Sequence, residues 1–395
     1  MNKNETIEKI QRMLSGNIRQ YGMVLALFVV IILFQILTSG VLLMPLNISN
    51  IIQQNAYVLI LACGMLLCIL TGGNIDLSVG SVAGFVGAVS AVFVLRMDMS
   101  TPLAIILSLL IGLAIGCWHG FWIAYIGVPP FIATLAGMLI FRGLTLAMLQ
   151  GVSLAPMPTD YAFVAAGFVP DTLGFNGLRI FTLITAVAVC ILLIVMQTVA
   201  RKKRQSYGFD VPHISMFIAQ LAVISGVTIF FAYRLAQHRG MPMVLTIVAV
   251  LIIIYAFITN RTVFGRRIYA FGGNQLAAKL SGINTKRILF AVYANMGLLA
   301  ALAGIVFTGR LNSATPKSGN GFELDAIAAC FIGGASTTGG VGTIVGAIVG
   351  GLLMGVLNNG MAIMGVSIDW QQAVKGMVLL IAVAFDVLSK RNKAV

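Results

Sequence analysis

The chain is short of charge, and shortest of acid. Of its 395 residues 9% are charged, with 11 Asp or Glu against 25 Lys or Arg, and there are only 3 His and 3 Trp. Soluble domains carry about 25% charged residues, so this chain cannot cover an ordinary water-facing surface. Its five cysteines, Cys63, Cys68, Cys117, Cys190 and Cys330, all lie in apolar runs without metal-ligand spacing. They read as small buried hydrophobes, not as a disulfide frame. His119, His213 and His238 share no metal-like spacing either, and no Ser/His/Asp constellation points to catalysis. A Gly-x-x-x-x-Gly-Lys-Ser/Thr phosphate loop is also missing, so nucleotide phosphates cannot be cradled by that route. The net charge of +14 carries no basic stripe with interleaved aromatics, which argues against a nucleic-acid partner.

What is abundant is apolar sequence. Hydrophobic residues make up 59% of the chain, mean hydropathy is +1.01, and runs repeatedly reach the ~20 residues that cross a bilayer. Twelve such segments are expected, near 21–38, 54–71, 80–95, 102–126, 129–150, 180–199, 214–232, 242–259, 288–309, 323–338, 343–364 and 369–388. The predicted fold is an all-α polytopic membrane protein of ten to twelve spans, some broken or re-entrant, embedded in lipid as one domain over 21–389. The weakest span is 323–338, which is short and begins with Glu323 and Asp325.

Basic residues gather at alternate ends of these runs. With a cytoplasmic N-terminus, Lys3, Lys9, Arg12, Arg19, the run Arg201 to Arg204, Arg261, Arg266, Arg267, Lys279, Lys286, Arg287, Lys390, Arg391 and Lys393 fall inside. Only Arg96, Arg179, Arg234, Arg239, Arg310 and Lys317 fall outside. The positive-inside rule therefore places both termini in the cytoplasm. Residues 1–20 are polar, with Ile7, Ile10 and Leu14 at helical spacing, and read as a cytoplasmic amphipathic segment rather than a secretory leader. A short tail, 390–395, closes the chain. The outer loop 151–178, with Pro156, Pro158 and Pro170, reads as an irregular cap, and the inner loop 260–287 as basic and partly helical.

Two stretches carry the functional signal. In the inner loop Asn274 is a good helix N-cap, Leu276, Leu280 and Ile283 fall at i, i+4, i+7, and Gly282 permits a sharp stop. Such a helix either docks into a groove on a cytoplasmic partner or lies on the lipid surface. The other stretch is Gly72–Gly80, where two glycines followed by Asn74, Asp76 and Ser78 interrupt an apolar run. Irregular backbone at that depth must be buried in protein or line a watery cavity. Asp76 either caps a helix starting near Leu77, the commoner role, or lines a path with Asn74 and Ser78. Glu323 and Asp325 suit a helix N-terminus, and Arg142 and Lys375 should find structural partners. Gly80, Gly84 and Ala88 are echoed by Gly342, Gly346 and Gly350, either a packing motif or a weak repeat.

The run Ala277-Ala278-Lys279-Leu280-Ser281-Gly282-Ile283 resembles the coupling-helix loop of ABC importer permeases. Four further stretches resemble the ribose/xylose/galactose branch of that family: Gly72 to Ser81, Val128 to Leu135, Glu323 to Ala329, and Ile332 to Ser336 followed by Gly339 to Gly342. In order they cover the chain from about residue 50 to its end. The extra pair of spans at 180–232 resembles the xylose-type subgroup. Two departures stand out: Leu276 where the family's coupling motif usually opens with Glu, and His119 where many relatives have Asn.

The resemblance implies a monosaccharide permease of the bacterial plasma membrane, with Asn74, Asp76, Ser78 and His119 as candidates for the path. It implies an ATPase contact through Asn274, Gln275, Leu276, Ala277, Ala278, Lys279, Ser281 and Gly282. It further implies a separate cytoplasmic ATPase carrying ATP and Mg, an extracytoplasmic sugar-binding protein, and pairing of two copies, with no cofactor on this chain. The competing reading is an ion-coupled secondary transporter, which usually shows midplane ionisable groups and paired broken helices. Orientation is open to direct test. A membrane-impermeant thiol reagent applied from outside is expected to label cysteines placed at Asp160 and Arg234 but not at Lys203 or Lys279. Outside labelling at Lys279 would remove both the orientation and the coupling assignment.

Overall fold

Backbone in lipid must satisfy its own hydrogen bonds, and this chain does so with helices. The computed structural model describes residues 22–391 apart from 172–173, 175–176, 210 and 212, and gives 385–391 as backbone only. The segment expected over 1–20 and the last four residues of the tail lie outside the described residues. In order the helices are α1 (Gly22–Leu37), α2 (Pro45–Leu70), α3 (Val79–Leu95), α4 (Thr101–Phe121), α5 (Pro130–Leu149), α6 (Thr159–Ala166), α7 (Ile180–Ser206) and α8 (Ile214–Ala236). They continue as α9 (Met243–Arg261), α10 (Val263–Gly273), α11 (Gln275–Leu280), α12 (Thr285–Leu311), α13 (Phe322–Ile332), α14 (Ile344–Ile363) and α15 (Ile368–Arg391). Proline sets several starts, sitting in the first turn of α2, α4 and α5, where its missing N–H is no loss.

Each of the twelve expected apolar segments holds a helix, and eight of these are long and apolar enough to cross a membrane. α2 and α12 are the buried heart of the bundle. The side chains of α2 from Ile60 to Leu70 are almost wholly enclosed, as are Val292, Tyr293, Met296 and Ala301 of α12. Close approach replaces the hydrophobic drive that lipid cannot supply. Gly112 and Gly116 of α4 press on the backbone of α12 at Gly297, Tyr293 and Ala294.

α13 confirms the weak span and explains it. Its 11 residues reach about 16 Å, half the ~30 Å hydrocarbon core. The non-helical backbone that leads into it, residues 312–321, lies in the glycine face of α3: methyl groups at Gly80 and Gly84 would overlap Gly319 O and Ser318 O. Gly346 and Gly350 of α14 receive the other end of α13, at Gly333 O and Ala329 O. Both members of the glycine echo therefore pack on α13 and its approach.

The loop 151–178 is less irregular than expected. It contains α6, whose Tyr161 and Ala165 are fully buried one turn apart, with the Ser90 hydroxyl donating to Tyr161 Oη at 2.7 Å. At the opposite edge α7 and α8 pair with each other, and an apolar cavity of about 630 Å³ separates them from α1, α2, α9 and α14.

Of the deep charges Lys375 finds its expected partner, whereas Arg142 Nη2 and Glu323 Oε2 are buried without a hydrogen-bond partner among the described residues. Lys375 Nζ sits 2.9 Å from Asp325 Oδ1, while Tyr57 Oη donates to Asp325 Oδ2 at 2.9 Å. Asp325 thus does more than favour its helix terminus: it ties α13 to α15 and α2. Glu323 has Arg142 as its charged neighbour. Removing one member of a buried pair leaves the other uncompensated, which costs about 3–5 kcal/mol. Lys375→Met is expected to lower thermal stability in detergent by an amount near the bottom of that range, since a quarter of its side chain is open. Adding Asp325→Asn should recover much of the loss; an additive second loss would show that the pair is not coupled.

Candidate functional site

The end of α2 is where the helix breaks, and its last carbonyls can be followed one by one. Cys68 O accepts from Thr71 N–H at 3.1 Å and Ile69 O from Gly73 N–H at 2.7 Å. Thr71 O accepts from the Asn74 side-chain amide at 2.8 Å. Leu70 O accepts from Gly340 N–H at 3.0 Å, across from the second break, which follows α13. Of the α2 carbonyls Cys68 O, Ile69 O and Leu70 O, the first two are met locally and the third is met from the turn after α13.

The two breaks interlock through glycine. A methyl at Gly73 would overlap Thr337 O, and one at Gly339 would overlap the backbone of Gly72. The loop 260–287 joins them. Gly272, near the end of α10, lies so close to Leu70 O and Gly340 N that no side chain fits. Tyr269 Oη of the same helix donates to Gly342 O at 2.7 Å. Three doubled glycines, 72–73, 272–273 and 339–340, therefore meet at one point. The sequence signal was the doubling itself, which composition and spacing did not connect.

Beyond the break, Asp76 Oδ1 accepts from Ser78 N–H at 2.8 Å and from Ser78 Oγ at 2.6 Å. Asp76 thus closes the turn before α3, which begins at Val79, two residues later than expected and with no side-chain cap bond from Ser78. Asp76 and Ser78 are buried and Asn74 half-buried. His119, in the last turn of α4, is also buried, wedged against Gly137 with its ring near those of Trp118 and Phe141. Asp76 is its charged neighbour and that of Tyr293 as well. His119 Nε2 and Tyr293 Oη are buried without a hydrogen-bond partner among the described residues. Of the four residues picked from sequence, Asp76 neighbours Ser78 and His119 while Asn74 bonds back to Thr71; Tyr293, in an unbroken apolar run, was not picked.

The segment 274–283 takes its expected capped-helix and turn form. Asn274 Oδ1 accepts from Ala277 N–H at 2.9 Å, capping α11. Ser281 Oγ returns to Ala277 O at 2.9 Å, and Gly282 turns the chain with φ +80°, a conformation natural to glycine. The apolar stripe is divided. Ile283 packs on the core, whereas Leu276 and Leu280 are 68% and 81% exposed. Ala278 is buried, so α11 faces inward on one side only.

A protein-family profile described as "Branched-chain amino acid transport system / permease component" matches residues 47–202 and 194–383. The chain belongs to this family. It is the membrane-spanning permease subunit of an ABC-type transporter, and ATP hydrolysis falls to a separate subunit. Among curated proteins it is similar to the xylose transport system permease protein XylH of Escherichia coli (strain K12), with 39% identity over 96% of this chain and 94% of that one. Its Haemophilus influenzae counterpart is 37% identical over 96% and 98%. The ribose import permease protein RbsC of Bacillus subtilis (strain 168) is 36% identical over 97% and 98%. No solved structure matches the chain.

For a permease of this family the glycine contact sets a sharp contrast between neighbours. Gly272→Ala should push α10 off both breaks, an overpacking cost of about 1–3 kcal/mol, and reduce transport at least tenfold. Gly273→Ala meets nothing within 4 Å and should transport normally. Equal activity in the two variants, measured at equal accumulation, would show that the contact carries nothing.

Proposed function

We propose that this chain is the permease subunit of an ATP-driven importer that moves a monosaccharide, xylose or a related pentose or hexose, across the bacterial plasma membrane. The names of its xylose- and ribose-transporting relatives support the substrate class. The observation that carries the mechanism is the exposure of Leu276 and Leu280 on a capped helix whose neighbour, α10, is locked to both helix breaks. A cytoplasmic ATPase grips these two leucines, flanked by Gln275 and Lys279. When ATP and Mg bind or leave on that partner, its movement turns α11 and α10 as one body. Gly272 and Tyr269 pass the displacement to the ends of α2 and α13. Asn74, Asp76, Ser78 and His119, just beyond the first break, line the inner end of the path. Leu276 supplies an apolar contact where relatives use an acid.

Two copies of the chain form the pore, and both termini face the cytoplasm, as the distribution of basic residues supports. On the outer side the segment around α6, pinned through Tyr161 and through the Gln53 amide, which donates to Ala166 O at 3.2 Å, receives an extracytoplasmic sugar-binding protein.

Leu280→Asp tests the docking. Surface substitutions usually shift stability by less than about 0.5 kcal/mol, so the subunit should accumulate normally. Co-purification of the ATPase should fall at least tenfold, and sugar uptake with it. Gly282→Trp, which forces a side chain into a left-handed backbone at a cost of about 1 kcal/mol, should act in the same direction. Wild-type association and uptake in both variants would make α11 a lipid-surface element.

A further inference from the structure

A second cavity, smaller than the apolar one and chemically opposite to it, opens between α2, α12 and α14. It holds about 190 Å³ and is lined by Gln54, Asn55, Tyr57, Phe307, Arg310 and Asn358. By the same measure a single water needs only ~10–15 Å³, so the chamber takes a small molecule. Its walls are built and held. Tyr57 stacks on Phe322 at 3.9 Å between ring centroids and meets Phe307 edge-on at 5.5 Å, and its hydroxyl is fixed on Asp325. The Asn55 amide donates to Gly351 O at 2.7 Å, seated over Gly355, where any side chain would displace it. Asn358 Oδ1 is buried with no partner among the described residues. Arg310 has no carboxylate within ion-pair distance among them either, because Asp325 is taken by Lys375 and Tyr57.

We infer that this chamber is a station for the uncharged sugar in transit, entered from beneath α6; the inference rests on the importer reading above. Three amides and a guanidinium offer donors and acceptors for hydroxyl groups. The Tyr57 and Phe307 rings, set edge-on to each other, offer an apolar corner for the C–H groups of a pyranose, and apolar surface joined to a few placed polar groups is the usual form of a small-molecule site. No free carboxylate faces the space, so an inorganic cation or an amine finds no counter-charge. The 630 Å³ cavity beside α7 and α8 has almost no polar lining and cannot replace the water that a sugar sheds. The chamber lies near the residues that receive α6, since Gln53, next to Gln54, holds Ala166. Sugar released outside thus meets it before reaching Asp76 and His119.

The test uses the full importer, with ATPase and binding protein, in liposomes. Asn358→Leu and Gln54→Leu are each expected to lower uptake of labelled xylose at least tenfold while ATP hydrolysis by the assembled complex stays within twofold of wild type. Thr228→Val, in the apolar cavity, should leave uptake unchanged. Gln54→Cys should react with a membrane-impermeant thiol reagent, and at least threefold more slowly while xylose is being transported. Galacturonate, which could pair with Arg310, should compete no better than xylose; stronger competition would overturn the assignment to an uncharged sugar. If wild-type liposomes show no ATP-dependent uptake, the importer reading fails and the chamber's role with it. If wild type transports but both leucine variants do so within twofold of it, the chamber assignment alone is overturned. Should either leucine variant fail to accumulate, the Gln54→Cys rate decides, and a rate unaffected by transport overturns the inference.

Discussion

A helix end enclosed by other backbone leaves carbonyls with no water to turn to, and each must be answered by protein. That requirement organises this molecule. α2 stops at Leu70; its Cys68 O and Ile69 O are met locally by Thr71 and Gly73, and Thr71 O, just past the helix, by Asn74. Leu70 O is met by Gly340, from the turn after α13. Neither break is complete without the other, so two distant stretches form one structural unit. The backbones can meet only where side chains are absent, which accounts for the glycines on both. α10 enters the same contact through Gly272 and ends beside α11.

This arrangement couples position to energy. A displacement of α10 cannot be absorbed by side-chain rearrangement, because the contact is backbone on backbone. It must move α2, α13, or both; α2 carries Tyr57 and ends just before Asp76, and α13 carries Asp325. The ion pair between Asp325 and Lys375 and the hydrogen bond from Tyr57 hold α2, α13 and α15 together in the described conformation. Ionic groups in lipid are expensive enough to be paired or functional, and with Asp325 paired to Lys375, Arg310 lines the chamber between α2, α12 and α14.

Membrane embedding, helix content and the placement of all twelve apolar segments were legible in the sequence, because the length of an apolar run and the thickness of a bilayer are both local quantities. The Asn274 cap and the Gly282 turn were legible for the same reason: each involves atoms within a few residues. The family followed from short runs in order. The reading of 151–178 as irregular was the local reasoning at its weakest, since its three prolines concealed an eight-residue helix held by Tyr161.

What the sequence by itself determined is therefore the apolar helices and the one break at Gly72–Gly80. Only the tertiary structure decided what the breaks are for. That Leu70 meets Gly340, that Asp76 neighbours His119 and Tyr293, and that Gln54, Tyr57, Arg310 and Asn358 face one space are facts about segments far apart in the chain. Hydropathy carries no trace of such meetings. An amide in an apolar run looks the same whether it is bonded to its own helix or turned toward a cavity, and the difference lies in which helix packs beside it.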